Sequence, residues 1–392
     1  MVPNGWEKSD LTHLITIKHG FAFKSEFYSD KGQYVLLTPG SFYETGGFRD
    51  QGSKTKYYIG DIPDGYILSQ GDMLLAMTEQ AEGLLGSALF VPENNRYLHN
   101  QRLGLVQILN QEKVCKDFLY LFFNSPSIRK QITEQSTGTK VKHTSPDRLC
   151  SVIGLIPPLK EQQKIAEIIS SWDQAISATE RLLENSQQQK KALMQQLLTG
   201  KKRLLDENGV KFSDEWQRIE LGLLLDYQQP TPYLVESTAY SDSYETPVLT
   251  AGKTFILGYT NESSGIYQDQ LPVIIFDDFT TDSKYVNFPF KAKSSAMKIL
   301  TAKKGVSIKF VFEAMQMLQF TVGGHQRHWI SIFSNLVIPL PNKKEQQQIA
   351  EVLSLADQEI ETLQKKLDCL QQEKKALMQQ LLTGKKRVKV AA

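Results

Sequence analysis

Apolar residues recur at alternating intervals of four and three along two stretches of the chain. In the later stretch they fall at Ile349, Leu353, Ala356, Ile360, Leu363, Leu367, Leu370, Leu377 and Leu381, with Lys374 standing in the series. The earlier stretch follows the same frame through Ile165, Ile169, Trp172, Ile176, Thr179, Leu183, Ser186, Lys190, Leu193 and Leu197. A period averaging about 3.5 residues, sustained this long, predicts the seam of a coiled coil rather than a generic amphipathic helix. Each helix would run on the order of 60 Å at 1.5 Å per residue. Lys190 and Lys374 interrupt the seam at equivalent places, as register-setting polar residues do. Thr179 and Ser186 thin the earlier stripe, so that helix is expected to depend on its partner. Ile168, Met194 and Leu198 lie off the seam and offer apolar surface to a further partner.

The two stretches are copies. Glu161–Arg203 aligns without gaps to Glu345–Arg387 at an offset of 184 residues, with 27 identities in 43 positions. Fourteen of them form one unbroken block, Lys190–Arg203 against Lys374–Arg387. Ile-Pro-Pro-Leu at 156–159 and Ile-Pro-Leu-Pro at 338–341 fix an extended lead-in, since proline is tolerated before a helix and not inside it. Glu161 and Glu345 place negative charge near one end of each dipole, and the Lys-Lys-Arg triplets place positive charge past the other. Gly200 and Gly384 sit where a helix stop is expected.

The order is module, helix, module, helix. Residues 1–155 form the first module and 156–203 the first helical segment. Residues 204–337 hold a linker and the second module, and 338–392 the second helical segment and tail. A globular module between the helices is too long for a tight turn, so the economical arrangement pairs them antiparallel with one module at each end. That would give the chain an internal pseudo-twofold axis; a coiled coil between two chains is the alternative. Trp6-Glu7-Lys8 and Trp216-Gln217-Arg218 open the modules alike, and little further identity follows. Both read as mixed α/β, with strands at Tyr34–Leu37, Tyr57–Ile59, Leu103–Leu109, Val273–Phe276 and Val306–Phe312. Helical patches are expected at Val114–Asn124 and Phe312–Leu318, and a linker at Leu204–Glu215. The fold class is thus α+β, two α/β modules alternating with two long paired helices.

Composition adds exclusions. The hydrophobic fraction of 41% supports real cores, and 392 residues suit two modest domains. No apolar run approaches the roughly 18 residues of a membrane span. Cys115, Cys150 and Cys369 form no disulfide or metal pattern, and the opening residues lack a signal-peptide pattern, so a cytoplasmic setting is expected. The net charge of +2 announces no partner. Between Lys284 and Lys309, however, there are seven lysines and no acid. Such a run is either a solvated face or a set of phosphate contacts.

Catalytic motifs are missing. Ala251-Gly252-Lys253-Thr254 resembles the end of a phosphate-binding loop, but Pro247 stands where its first glycine belongs. His325 and His328 lack companion ligands for a metal. Asp277-Asp278 reads as a turn or capping pair. There is no cofactor loop of a methyltransferase and no Asn/Asp-Pro-Pro-aromatic motif.

Two diverged modules alternating with two near-identical helices, together with Ile-Pro-Pro-Leu-Lys-Glu-Gln-Gln-Lys-Ile-Ala-Glu at 156–167 and Lys-Lys-Ala-Leu-Met-Gln-Gln-Leu-Leu-Thr-Gly-Lys at 190–201, resemble the specificity subunit of type I restriction–modification systems. The resemblance implies two target-recognition domains, each reading one half of an asymmetric bipartite site in double-stranded DNA. It also implies helices that set the spacing and dock two adenine methyltransferase subunits, which restriction–translocase subunits then join. No cofactor is expected in this chain; S-adenosylmethionine, ATP and Mg would belong to those partners. The family's glycine-containing polar loop maps onto 136–143 and 321–328. That singles out Thr139, Lys140, Lys142 and His143 in the first module, and His325, Gln326, Arg327 and His328 in the second, as donors to phosphates or base edges. Lys291, Lys293, Lys298, Lys303 and Lys304 are candidate phosphate contacts of the second module, and Arg49, Lys54 and Lys56 of the first. Each is otherwise a solvated side chain. A coiled-coil adaptor whose modules grip something other than DNA is the alternative reading of the whole.

Overall fold

The computed structural model describes residues 2–138, 141–250, 254–318 and 328–390. The chain divides into two compact units, and the division falls inside both long helices: Met1–Ala178 with Leu367–Ala392, and Thr179–Lys366. Each unit therefore contains one module, part of the first long helix (Leu159–Leu197) and part of the second (Lys343–Leu382).

In the first unit, Glu7–Ser9 pairs antiparallel with Gly154–Ile156, which brings the module's opening to the helix lead-in. An antiparallel sheet follows in the order Ile15–His19, Leu103–Ile108, Met73–Ala76, Ala88–Phe90. A second sheet runs Tyr28–Ser29, Tyr57–Tyr58, Tyr34–Leu36, Tyr97–Leu98, its last pair parallel. The central strand Met73-Leu74-Leu75-Ala76 is apolar throughout because both its faces are covered. Met73 and Leu75 meet Phe118, Leu119, Phe122 and Phe123 of helix Lys116–Phe123, while Leu74 and Ala76 join Val35, Leu37 and Phe42.

The second unit repeats this plan. Gln217–Glu220 pairs with Val337–Leu340. The main sheet runs Leu225–Gln228, Met297–Ala302, Val273–Asp277, Ser283–Val286, and the smaller one Ile256–Thr260, Thr246–Leu249, Lys291–Ala292, again with a parallel last pair. Ile274 and Phe276 pack toward helix Ile308–Gln316, and Val273 and Ile275 toward Tyr267 and Phe290. The strand expected at Val306–Phe312 is thus the start of a helix. The Ser307 side chain accepts from Phe310 N–H as its cap, and Phe310, Val311, Ala314 and Met315 bury one face at helical spacing.

Within each unit the two helices run antiparallel. Ile165 and Ile169 pack with Leu377 and Leu381 in one, and Leu193 and Leu197 with Ile349 and Leu353 in the other. Every position of the seam series is buried or half-buried. At the helix ends Gly200 and Gly384 take φ of +71° and +68°. The N–H of Gly200 then reaches the carbonyl of Leu197, and that of Gly384 the carbonyl of Leu381, closing each helix with the five-to-two bond of a Schellman turn. Among the described residues no helix is long and apolar enough to cross a membrane.

Candidate nucleic-acid interface

The duplicated scaffold supports each module through one clasp. The Glu161 carboxylate, 6% exposed, accepts from Trp6 Nε1 at 3.2 Å and from the Arg387 Nε at 2.9 Å, with Arg387 Nη2 on its other oxygen. Glu345, fully buried, accepts from Trp216 Nε1 at 3.1 Å and from Arg203 at 2.6 and 2.7 Å. Each guanidinium also lies over its tryptophan ring, at 5.6 and 5.5 Å from the centroid. A planar fork on a carboxylate has two directed bonds, so it fixes angle as well as distance. The Arg387 guanidinium holds the Glu161 carboxyl below its usual range against the opposing effect of burial, with Trp6 adding to it. Gln162 and Gln346 complete the frame: the first accepts from Cys115 N–H and donates to the Pro157 carbonyl, the second accepts from Ser307 N–H and donates to the Pro341 carbonyl.

The seam lysines find repeat-equivalent partners, Lys190 on Asp357 at 2.6 Å and Lys374 on Asp173. Among the described residues, only the second unit elaborates this pair. There Lys309 bridges Glu313 at 2.6 Å and Asp357 at 2.7 Å, and Lys190 also reaches the fully buried Glu313 at 3.1 Å. Burial works against the Lys309 ammonium, but Asp357 and Glu313 outweigh it and raise its pKa.

Thr144 and His328, at the ends of the two glycine-containing segments, are tied to the far end of each central strand. Thr144 N–H donates to the Met77 carbonyl at 3.0 Å, and His328 N–H to the Asp278 carbonyl at 3.2 Å. In the first module Glu79 N–H also donates to the Lys142 carbonyl, and Thr78 Oγ1 lies 3.2 Å from His143 Nδ1. The loop after Thr78 is braced from below by Arg129, whose Nε donates to the Leu85 carbonyl at 2.8 Å and whose Nη2 donates to that of Gly83. Burial lowers the Arg129 pKa to about 10. A shallow cleft of about 660 Å³ opens here, lined by Thr78, Glu79, Gln80, Arg102, Val141 and His143.

The residues singled out from sequence fare unequally. Thr139, Lys140, His325, Gln326 and Arg327 lie outside the described residues, as does the Gly252-Lys253 pair. His143 is exposed at the cleft and Lys142 is half-buried, 3.8 Å from Glu79. His328 is 1% exposed, with its Nδ1 at 2.8 Å from the Asp278 carbonyl, so it is held inside the module and is no surface donor, a correction. Lys291 and Lys298 are corrections too. Each is 2% exposed, Lys291 bonded to Glu262 at 2.7 Å and Lys298 facing Asp278 at 3.4 Å, and a buried paired ammonium does not reach a phosphate. Lys303 is half-buried and donates to the Gly222 carbonyl. Lys293 and Lys304 are exposed. In the first module Arg49 is half-buried on the Gly40 carbonyl, while Lys54 and Lys56 are exposed. Arg49 and Lys56 share one recess of about 320 Å³ with Arg96. Asp277 caps the turn, accepting from Phe279 N–H, as its sequence context suggests.

Residues 3–186 and 213–372 match the family described as Type I restriction modification DNA specificity domain, and the chain belongs to that family. Among individual relatives, the EcoR124I/EcoR124II specificity subunit of Escherichia coli is 54% identical over 132 residues, a match spanning 32% of either protein. The putative MjaX specificity subunit of Methanocaldococcus jannaschii is 26% identical over 99% of this chain and 95% of its own length. The crystal structure of the S subunit from M. genitalium superposes with a TM-score of 0.67 over 97% of this chain and 98% of that one, at 15% identity, a likeness of fold.

Proposed function

We propose that the chain is the DNA-recognition subunit of a type I restriction–modification complex, each module reading one half of an asymmetric bipartite site. The observation that carries this reading is a scaffold duplicated to the level of its Trp–Glu–Arg clasps, holding modules whose loops differ. Equal scaffolds present the two modules to the duplex in the same manner, while unequal loops read unlike half-sites. The paired helices set the distance between the modules, near a whole turn of the duplex at about 34 Å. Exposed Leu182 and Leu355 on the helices suit the docking of two adenine methyltransferase subunits. Methyl transfer with S-adenosylmethionine, and ATP- and Mg-dependent cleavage by restriction subunits, belong to those partners. Phosphate contacts supply the salt-sensitive affinity and base contacts the choice of sequence.

Single-molecule mapping of N6-methyladenine with the gene intact and deleted tests this. An asymmetric two-part motif, methylated once on each strand, should vanish on deletion. If no motif depends on the gene and the methyltransferase-bound protein shows no salt-sensitive DNA binding, the reading is wrong and a non-DNA adaptor takes its place.

A further inference from the structure

We propose that Arg102 and Gln80 are the base-reading pair of the first module, Arg102 taking a guanine and Gln80 an adenine; this rests on the DNA-recognition reading above. Both residues line the cleft beside the glycine loop, and both are exposed. Among the described residues neither side chain has a hydrogen bond or ion pair, whereas the other polar groups of the cleft are engaged. Glu79 accepts from Gly83 N–H at 3.1 Å and faces Lys142, and Thr78 meets His143. A free guanidinium and a free carboxamide at one opening are the two groups that make bidentate contacts to guanine O6/N7 and adenine N6/N7 in the major groove.

Their bases are stiff while their tips are free. Arg102 directly precedes strand Leu103–Ile108, and its carbonyl accepts from Met77 N–H at 2.9 Å. Gln80 sits on the loop that Arg129 grips from below. Little backbone ordering is then required on binding, and the cost is that of fixing the two side chains.

Comparison between the modules shows that the pair is particular to the first. Ala76 aligns with Leu103 in one sheet as Asp277 does with Met297 in the other, and Asp278 N–H donates to Ala296 as Met77 N–H does to Arg102. The second module therefore carries Ala296 where the first carries Arg102. It also spans residues 278–282 between the two strands that the first joins through 77–87, and that shorter loop, Asp-Phe-Thr-Thr-Asp, carries no carboxamide. The pair should act on one half-site only.

The experiment maps N6-methyladenine in cells carrying Arg102→Ala or Gln80→Ala, with DNA binding of the methyltransferase-bound protein measured at several salt concentrations. Arg102→Ala should relax one guanine position in one half of the motif, by on the order of tenfold to a hundredfold in discrimination. Gln80→Ala should relax an adenine in the same half, with the other half unchanged and the melting curve as in the parent protein. An unaltered motif overturns the proposal, whether binding stays the same or weakens uniformly with a salt slope lower by about 1, the mark of a phosphate contact. Relaxation in both halves overturns it as well. A parent protein that directs no motif refutes the DNA-recognition reading itself, which the variants alone cannot do.

Discussion

Replacing Lys190 by methionine should cost far more stability than the same change at Lys374, although the two residues lie in identical fourteen-residue blocks. Lys190 is 17% exposed and serves two carboxylates, one of them the fully exposure-free Glu313. Its loss leaves Lys309 alone to balance Glu313 and Asp357 in a half-buried site. Removing one member of a buried ion pair costs about 3–5 kcal/mol, and the remaining lysine places this case near the lower bound, roughly 3 kcal/mol. Lys374 and Asp173 are 27% and 50% exposed and, among the described residues, have no such network. Their pair falls in the surface class, worth about 0–1 kcal/mol. Calorimetry on both variants reads the contrast, since about 3 kcal/mol moves a transition of this size by roughly 6–12 °C. Hydrogen exchange locates the loss, expected on helix Ile308–Gln316 and the helix segments beside it. Equal shifts for the two variants would refute the reasoning, and so would a double-mutant cycle with Glu313→Gln that shows no coupling.

Lys298→Ala strands the buried Asp278 carboxylate and should cost about 3–5 kcal/mol in thermal unfolding, whereas exposed Lys293→Ala and Lys304→Ala should leave unfolding unchanged and lower the salt slope of DNA binding. The Glu161 carboxyl is held below its ordinary pKa of 4.5, chiefly by Arg387. Its stabilisation is therefore complete above that value and lost as pH falls through its depressed value; acid unfolding followed by circular dichroism should show this, and Glu161→Gln should remove that share of the pH dependence. Trp216→Phe deletes the Nε1 donor to Glu345 while keeping ring area, and a loss of about 1 kcal/mol in chemical denaturation is expected.

The duplication was legible because a helix writes its burial pattern locally. Residues three and four apart share a face, so the seam from Ile165 to Leu197 and its twin could be followed residue by residue. The clasps were half legible. Trp6, Glu161 and Arg387 each stood at repeated positions, but only the fold shows that the carboxylate of one repeat meets the guanidinium of the other. Inside the modules the strands at Tyr34–Leu37, Tyr57–Ile59, Leu103–Leu109 and Val273–Phe276 and the helix at Val114–Asn124 were legible, and other local signals failed. Val306–Phe312 has the β-branched and aromatic content of a strand, yet it is the capping of Ser307 and the apolar face from Phe310 to Met315 that decide for helix. Lys291 and Lys298 look like surface lysines in sequence, because the acids that bury them, Glu262 and Asp278, lie on other strands or loops. Arg102 carried no signal at all. A lone arginine before a strand acquires meaning only beside Gln80 and the glycine loop.

The clasp of the first unit also ties together residues that stand far apart in sequence. Arg387 Nη1 donates to the Asn4 carbonyl at 3.0 Å, and Gly384 lies against Pro3. The equivalent place in the second unit is crossed by covalent chain, the segment 204–215 between Arg203 and Trp216. One clasp is thus bridged by the covalent segment 204–215 and the other by the contacts of Arg387 and Gly384 with residues 3 and 4. Opening the chain at Asn208 would leave the second clasp held by contacts alone, as the first already is, and both should keep their geometry.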